Sequence, residues 1–305
     1  MTNEKLAKVF YNDDISLNRS DYKLRELGFR TWENKISAEV RFRTIAEIKS
    51  GILNNKRIQP VDEYEIRQYH HVIDIEVSAG LKVPNPSSAP VKITCMTVLD
   101  KRTGIMHVMH TAKVELGNIK ERIVLFIKEE LAKSKMRHEE GKIYTEAEDF
   151  KFEYEIVEHR FENESDMLWF YVTFVVESDP DNIGGYNPLW DMRYIASRLK
   201  QNHLDHNLLS PVKEVETYSQ RFEILGREIF DVRKFYLNMR AKSDTDLEES
   251  TLDFIARYEL GCGQKKFRGS FKEKWNEDPL AVIERNIIDV YLTDWLDKHF
   301  KLMEQ

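Results

Sequence analysis

The chain has 305 residues, 41% hydrophobic and 32% charged, so it holds enough apolar material for a core beneath a highly charged surface. Its 46 basic and 53 acidic residues leave a net charge of −7, which argues against a protein that coats nucleic acid by bulk charge. Two cysteines, Cys95 and Cys262, exclude a disulfide framework and a four-cysteine zinc site.

No apolar stretch reaches the ~18 residues that a membrane span needs, and the first ten residues lack a signal-peptide pattern. A soluble, cytoplasmic protein with no membrane partner is expected. Residues 1–62 form a small N-terminal region of short mixed segments, with an amphipathic piece at 44–53 (TIAEIKSGIL). Residues 71–78 (HVIDIEVS) are β-branched and apolar, as a strand requires. Residues 91–100 and 105–110 read as two strands joined by a turn at Lys101-Arg102-Thr103-Gly104. Apolar residues at Ile119, Ile123, Phe126, Ile127 and Leu131 give a helical period over 118–133. Residues 152–159 alternate like a strand, and 164–177 read as an apolar helix, with Trp169, Phe170, Tyr171 and Phe174 in its core. Ile183-Gly184-Gly185 reads as a strand end. Helices are expected over 192–200, 227–241, 252–260 and 280–303. Antiparallel strands followed by helices predict an α/β (α+β) domain over 63–305, a sheet flanked by helices.

Asp74 and Glu76 carry the most chemistry. Side chains at i and i+2 of a strand share a face, so two carboxylates there repel unless a cation lies between them. A divalent ion with oxygen ligands meets that need. Taken alone, D-x-E is also compatible with a solvated sheet face, but its apolar setting, V-I-D-I-E-V, favours a metal site.

Further acids stand in Gly185-Tyr186-Asn187-Pro188-Leu189-Trp190-Asp191 and in Asn286-Ile287-Ile288-Asp289-Val290-Tyr291. With D-I-E-V at 74–77, these segments resemble the three motifs of the 3′→5′ proofreading exonuclease region of family B DNA polymerases, most closely those of T-even-type bacteriophages. Phe161-Glu162-Asn163-Glu164, Leu209-Ser210-Pro211 and Thr251-Leu252-Asp253-Phe254-Ile255 match in the expected order. The resemblance spans about 64–300.

It implies a ribonuclease H-like fold, a mixed sheet flanked by helices. Four acids, Asp74, Glu76, Asp191 and Asp289, would hold two divalent cations, Mg²⁺ or Mn²⁺. Two such ions ~3.5–4 Å apart can activate a water and clamp a scissile phosphate. By the same resemblance Asn187 should contact the terminal nucleotide, an apolar wedge is expected near Val83-Pro84, and Lys265 is a candidate for the phosphate. The implied substrate is the 3′ end of single-stranded DNA, and the implied partner a separate polymerase subunit. The non-enzymatic alternative is an exonuclease-fold subunit that holds DNA and polymerase, and the third is an independent repair nuclease.

Three positions depart from the family pattern. Arg285 stands where members carry a tyrosine that orients the attacking water, four residues before the last aspartate. It predicts either an ion pair with Asp289 or a cation competing with a metal. The interval from Asn187 to Asp191 is one residue short, with Pro188 inside it. Gln264 stands where relatives carry a lysine, beside Lys265 and Lys266.

Other patterns are weaker. Ser243-Asp244-Thr245-Asp246 and Asp14-Ile15-Ser16-Leu17 look like polymerase motifs but lie in the wrong places, so no polymerisation by this chain is expected. His203 and His206 lack a third ligand with zinc spacing. His107 and His110 should face opposite sides of a strand. Lys120, Arg122, Lys128, Lys133, Lys135 and Arg137 could follow a DNA backbone or simply solvate a helix. The last helix, with Val290, Leu292, Trp295, Leu296 and Phe300, is a candidate partner surface.

Overall fold

The computed structural model describes residues 51–54, 57–60, 68–134, 145–217, 222–241 and 249–304. The chain divides into two compact units, 1–67 and 68–305. In the first, β1 (Gly51–Asn54) pairs antiparallel with β2 (Arg57–Pro60). The amphipathic piece expected at 44–53 therefore ends in extended backbone, and its residues 44–50 lie outside the described residues. Asp14–Leu17, Ser243–Asp246, Lys135 and Arg137 also lie outside them.

The second unit is built on β3 (His70–Val77), β4 (Ile93–Asp100), β5 (Ile105–His110), β6 (Glu155–Arg160), β7 (Asn182–Gly185) and β10 (Glu228–Asp231), while Val215–Glu216 (β8) and Glu223–Ile224 (β9) form a separate small hairpin. The six strands stand in the order β10-β7-β3-β4-β5-β6. The turn at 101–104 permits antiparallel pairing of β4 with β5, the 78–92 loop brings β4 back antiparallel to β3, and β6, β7 and β10 return through longer connections and pair parallel. Only β4 runs against the others, so the expected sheet is mixed rather than antiparallel.

Among the described residues seven α-helices accompany the sheets: α1 (Ile119–Lys133), α2 (Glu164–Ser178), α3 (Pro188–Gln201), α4 (Val232–Ala241), α5 (Leu252–Leu260), α6 (Phe271–Glu277) and α7 (Pro279–Phe300). The mixed sheet with its helices is the ribonuclease H-like arrangement expected from the sequence.

Strand alternation sorts the core into two layers. Val72, Cys95, Leu99, Met106 and Val108 pack with α1, α4, α5 and α7. Ile73, Ile75, Met96, Val98 and Met109 pack with α2 and α3. Each such side chain removed from water stabilises the fold by roughly 1.5–3 kcal/mol.

Several predicted boundaries move, among them the start of the helix expected over 192–200, which opens at Pro188. The helix expected from Arg227 begins at Val232, because Glu228–Asp231 pairs with β7. Gly226 at φ +82° makes the turn before it, and buried Arg227 is fixed by the carbonyls of Leu209 and Pro180 and by Asp179. Residues 152–154 precede β6 rather than joining it, because Phe152 and Tyr154 turn into the core, Phe152 stacking on Tyr291 at 4.9 Å.

In α2, Asn163 accepts the Asp166 N–H and caps the helix, and buried Glu164 accepts from Ile93 N–H at 2.8 Å while pairing with Arg198 of α3. Tyr171 is buried as expected, but Trp169 faces solvent and is half exposed. The partner surface expected on the last helix is largely consumed. Val290, Leu292 and Leu296 are fully buried, and Trp295 and Phe300 pack against the same core. A helix with 15 of its 22 residues buried runs through the domain rather than along it.

Candidate active site

β3 carries Asp74 and Glu76 on one face, opposite Thr97 and Cys95 of β4. α7 crosses that face. Its 286 and 289 positions lie three residues apart, on one side of the helix, and both turn toward β3. Oxygen atoms of Asp74, Glu76 and Asp289 come within 4.8 Å of one another, the one group of three metal-ligating side chains among the described residues. Glu76 and Asp289 are buried.

These acids are held from behind. Asn286 Nδ2 donates to Asp74 Oδ2 at 2.7 Å, and Asn286 Oδ1 accepts from the Cys95 thiol at 3.4 Å. Gln264 Nε2 donates to Asp289 Oδ2 at 2.6 Å. Asp289 Oδ1 is buried with no hydrogen-bond partner. Such an orphan is costly unless a further ligand takes it. An all-oxygen donor set with a free, buried oxygen suits a hard divalent cation, and here Asp74, Glu76 and Asp289 would hold it.

Asp191 is delivered separately. β7 ends at Gly185, where an added Cβ would lie 2.7 Å from the Ile73 carbonyl oxygen, so only glycine lets β7 lie this close to β3. Asn187 follows with φ +69°, and Pro188 opens α3 at once. Asp191 is thereby fixed, buried, on the first turn. It stands outside the trio but near enough for the charge of Asp74 to act on it.

All four carboxyls are pushed upward. Burial is the largest cause in each. Asp74 rises to about 8, with Asp289 adding repulsion and Asn286 opposing it. Glu76 rises well above the usual range, with Asp74 as the next cause, and Asp191 does likewise. Asp289 rises only to about 6, because Arg285 and Gln264 favour its charged form.

Arg285 lies among the acids. Its Nε is 3.6 Å from Asp289 Oδ2 and 3.8 Å from Glu76 Oε1. Its guanidinium sits 5.3 Å from the Phe267 ring centre and 5.0 Å from that of Phe271. Lys265 instead pairs with buried Glu284, which also meets Arg122. Lys266 pairs with Asp253. Asn187 is exposed, and its side chain makes no cap. Val83 is 82% exposed and Leu81 90%, on the loop that leaves β3.

The four histidines singled out from the sequence lie elsewhere. His110 is buried and bonded to Glu158, while His107 pairs with His159 across the other face. His203 sits in a turn with positive φ and His206 opens a 3₁₀ helix, so the two do not share an α-helix. Asn286, Phe267 and Phe271 are the site residues that motif reading passed over. The position of Asn286, three residues before Asp289, was the available signal.

The sequence model of the DNA polymerase family B exonuclease domain matches residues 21–268. The chain belongs to this family. A DNA-directed DNA polymerase of Escherichia phage RB69 is 27% identical over 246 residues, covering 75% of this chain and 26% of the relative. The chain thus spans about a quarter of the length of the curated relative it matches. The family match ends before α7, so Asp289 enters the site through the fold, by the packing of α7 on β3. No described helix is long and apolar enough to cross a membrane.

Proposed function

We propose that this exonuclease domain hydrolyses DNA one nucleotide at a time from single-stranded 3′ ends, with divalent cations, Mg²⁺ or Mn²⁺, as cofactor. The convergence of Asp74, Glu76 and Asp289 around a buried, unpartnered carboxylate oxygen carries this reading. Asp191, near enough to feel the charge of Asp74, would complete the acid set. Divalent metal bound there would polarise the scissile phosphate and supply a hydroxide-like nucleophile.

The chain's own groups do the rest. Asn286 and Gln264 each occupy one oxygen of Asp74 and Asp289, and the other oxygen of Asp289 is left free. The guanidinium of Arg285 can meet a phosphate through paired N–H donors. The exposed amide of Asn187 would bond the terminal nucleotide. Leu81 and Val83 offer an apolar edge against which the end of a duplex frays. A polymerase working with this domain is part of the proposal, motivated by the printed name of the relative.

A catalytically reduced subunit is the second reading. It is favoured by Arg285 lying between two of the acids and by Lys265 being engaged by Glu284. Timed digestion of an end-labelled single strand in Mn²⁺ separates the two. The exonuclease reading requires wild type to release 3′ nucleotides faster than Asp289→Ala, and equal rates would overturn it. Co-purification with a polymerase chain from the same source tests the partner.

A further inference from the structure

We propose that Arg285 is a resident cation of this site, its guanidinium taking the place of one of two divalent ions, so that the chain binds a single one. The inference rests on the metal-site reading above and concerns its stoichiometry.

Four carboxylates gathered in a mostly buried site require positive charge. A part of it is already covalently present. Arg285 lies four residues before Asp289 on a rigid helix, and its Nε faces Asp289 and Glu76 at 3.6 and 3.8 Å without a hydrogen bond. Phe267 and Phe271 bracket the guanidinium at cation–π distance. Swinging the side chain away would forfeit both ring contacts and leave the two acids facing each other. The arginine is therefore built into the site rather than resting at its rim.

Its Nε lies within ion-pair distance of Glu76 and Asp289, one acid on β3 and one on α7. The Glu76–Asp289 side is thus already neutralised in part at close range. A second divalent ion would have to enter beside a permanent cation that cannot give up its proton. Gln264 adds to the effect, since the Asp289 oxygen nearest Arg285 already accepts its amide.

The test counts ions without relying on turnover. The full chain is titrated with Mn²⁺ in the presence of a single strand whose last linkage is a phosphorothioate, followed by calorimetry and electron paramagnetic resonance. Wild type is expected to take up one Mn²⁺ with an isolated six-line spectrum. Arg285→Met, which keeps bulk between the two rings, should take up two with an exchange-coupled spectrum. In cleavage assays the order in Mn²⁺ should rise from first to second.

Two coupled ions in wild type would overturn the inference, whatever the variants do. So would a single ion in a folded Arg285→Met, with Arg285→Gln as the second variant. Uptake by Asp74→Asn equal to wild type is a different failure: it would remove the metal site itself and leave Arg285 as an ion pair.

Discussion

Asn286 Nδ2 donates to Asp74 Oδ2 at 2.7 Å, tying the last helix to the first central strand across 212 positions of sequence. The same amide accepts from Cys95, so one fully buried side chain aligns an acid and satisfies a thiol. Replacing Asn286 with Ala leaves Asp74 free to rotate and strips both partners. Losing such buried hydrogen bonds costs about 1–3 kcal/mol. Asn286→Ala should therefore lower the melting temperature and slow cleavage together. Denaturant melts and timed digestion of one preparation check this. Unchanged turnover in a destabilised variant would show that Asp74 needs no such alignment.

Stability of the metal-free chain should depend on pH in an unusual direction. A carboxyl whose pKa is raised on folding stabilises fully below its unfolded value and loses that contribution as pH rises through the folded one. Asp74, raised to about 8, should lower stability between pH 6.5 and 8.5, and Glu76 and Asp191, raised well above the usual range, act in the same direction. His71 and His159, lowered by burial to about 3 and about 4, act oppositely, but their contribution is complete above about pH 6.5. In a chelator the melting temperature should fall across that window, and Mn²⁺ should remove or reverse the fall. Asp74→Asn should make it shallower. A metal-free melting temperature that climbs from pH 6.5 to 8.5 would contradict the electrostatics given for the site.

Lys265 is predicted to act on stability first. Its ammonium pairs with buried Glu284, which has Arg122 as its other partner. Lys265→Met leaves Arg122 to neutralise Glu284 alone, so the loss should be about 1–3 kcal/mol rather than that of an unpaired buried charge. Glu284→Gln should release the lysine. If Lys265 then tightens DNA binding, measured by fluorescence anisotropy against salt, the residue has a latent phosphate role that Glu284 restrains. Lys265→Met weakening DNA binding without altering stability would give it that role directly.

Asp74 and Glu76 were legible by a local rule, whereas Asp191 and Asp289 were singled out only through the family resemblance. Asp74 and Glu76 share a face by strand alternation, and α7 announced itself as a long helix. What escaped depends on distant neighbours. The 228–231 segment reads as the start of a helix until the partner strand at 182–185 and the turn at Gly226 are known. The last helix has apolar residues on every side, so periodicity could not tell a partner surface from a buried helix. Asn286 lay inside a quoted motif, yet its bond to Asp74 depends on the angle at which α7 crosses β3. The Phe267–Arg285–Phe271 arrangement likewise joins a loop, α6 and α7, which no spacing rule links.

The loop after β3 supports a final prediction. Leu81 and Val83 are 90% and 82% exposed, among the most exposed large apolar side chains described. Exposed apolar side chains gain by burial, and an unstacking base pair offers flat apolar faces. Separating a terminal pair costs a few kcal/mol, least for a mismatch. A contact at the frayed end can offset part of that cost only when the substrate is a duplex. Leu81→Ser/Val83→Ser should therefore leave digestion of a single strand unchanged. Removal of a mismatched nucleotide from a primer–template end should slow, and of a matched one more so. Neither residue packs in the core, so folding should be intact, as circular dichroism would verify. Parallel loss on single strands and duplexes would place these residues in general DNA binding instead. No loss on either would leave the loop without a part in fraying.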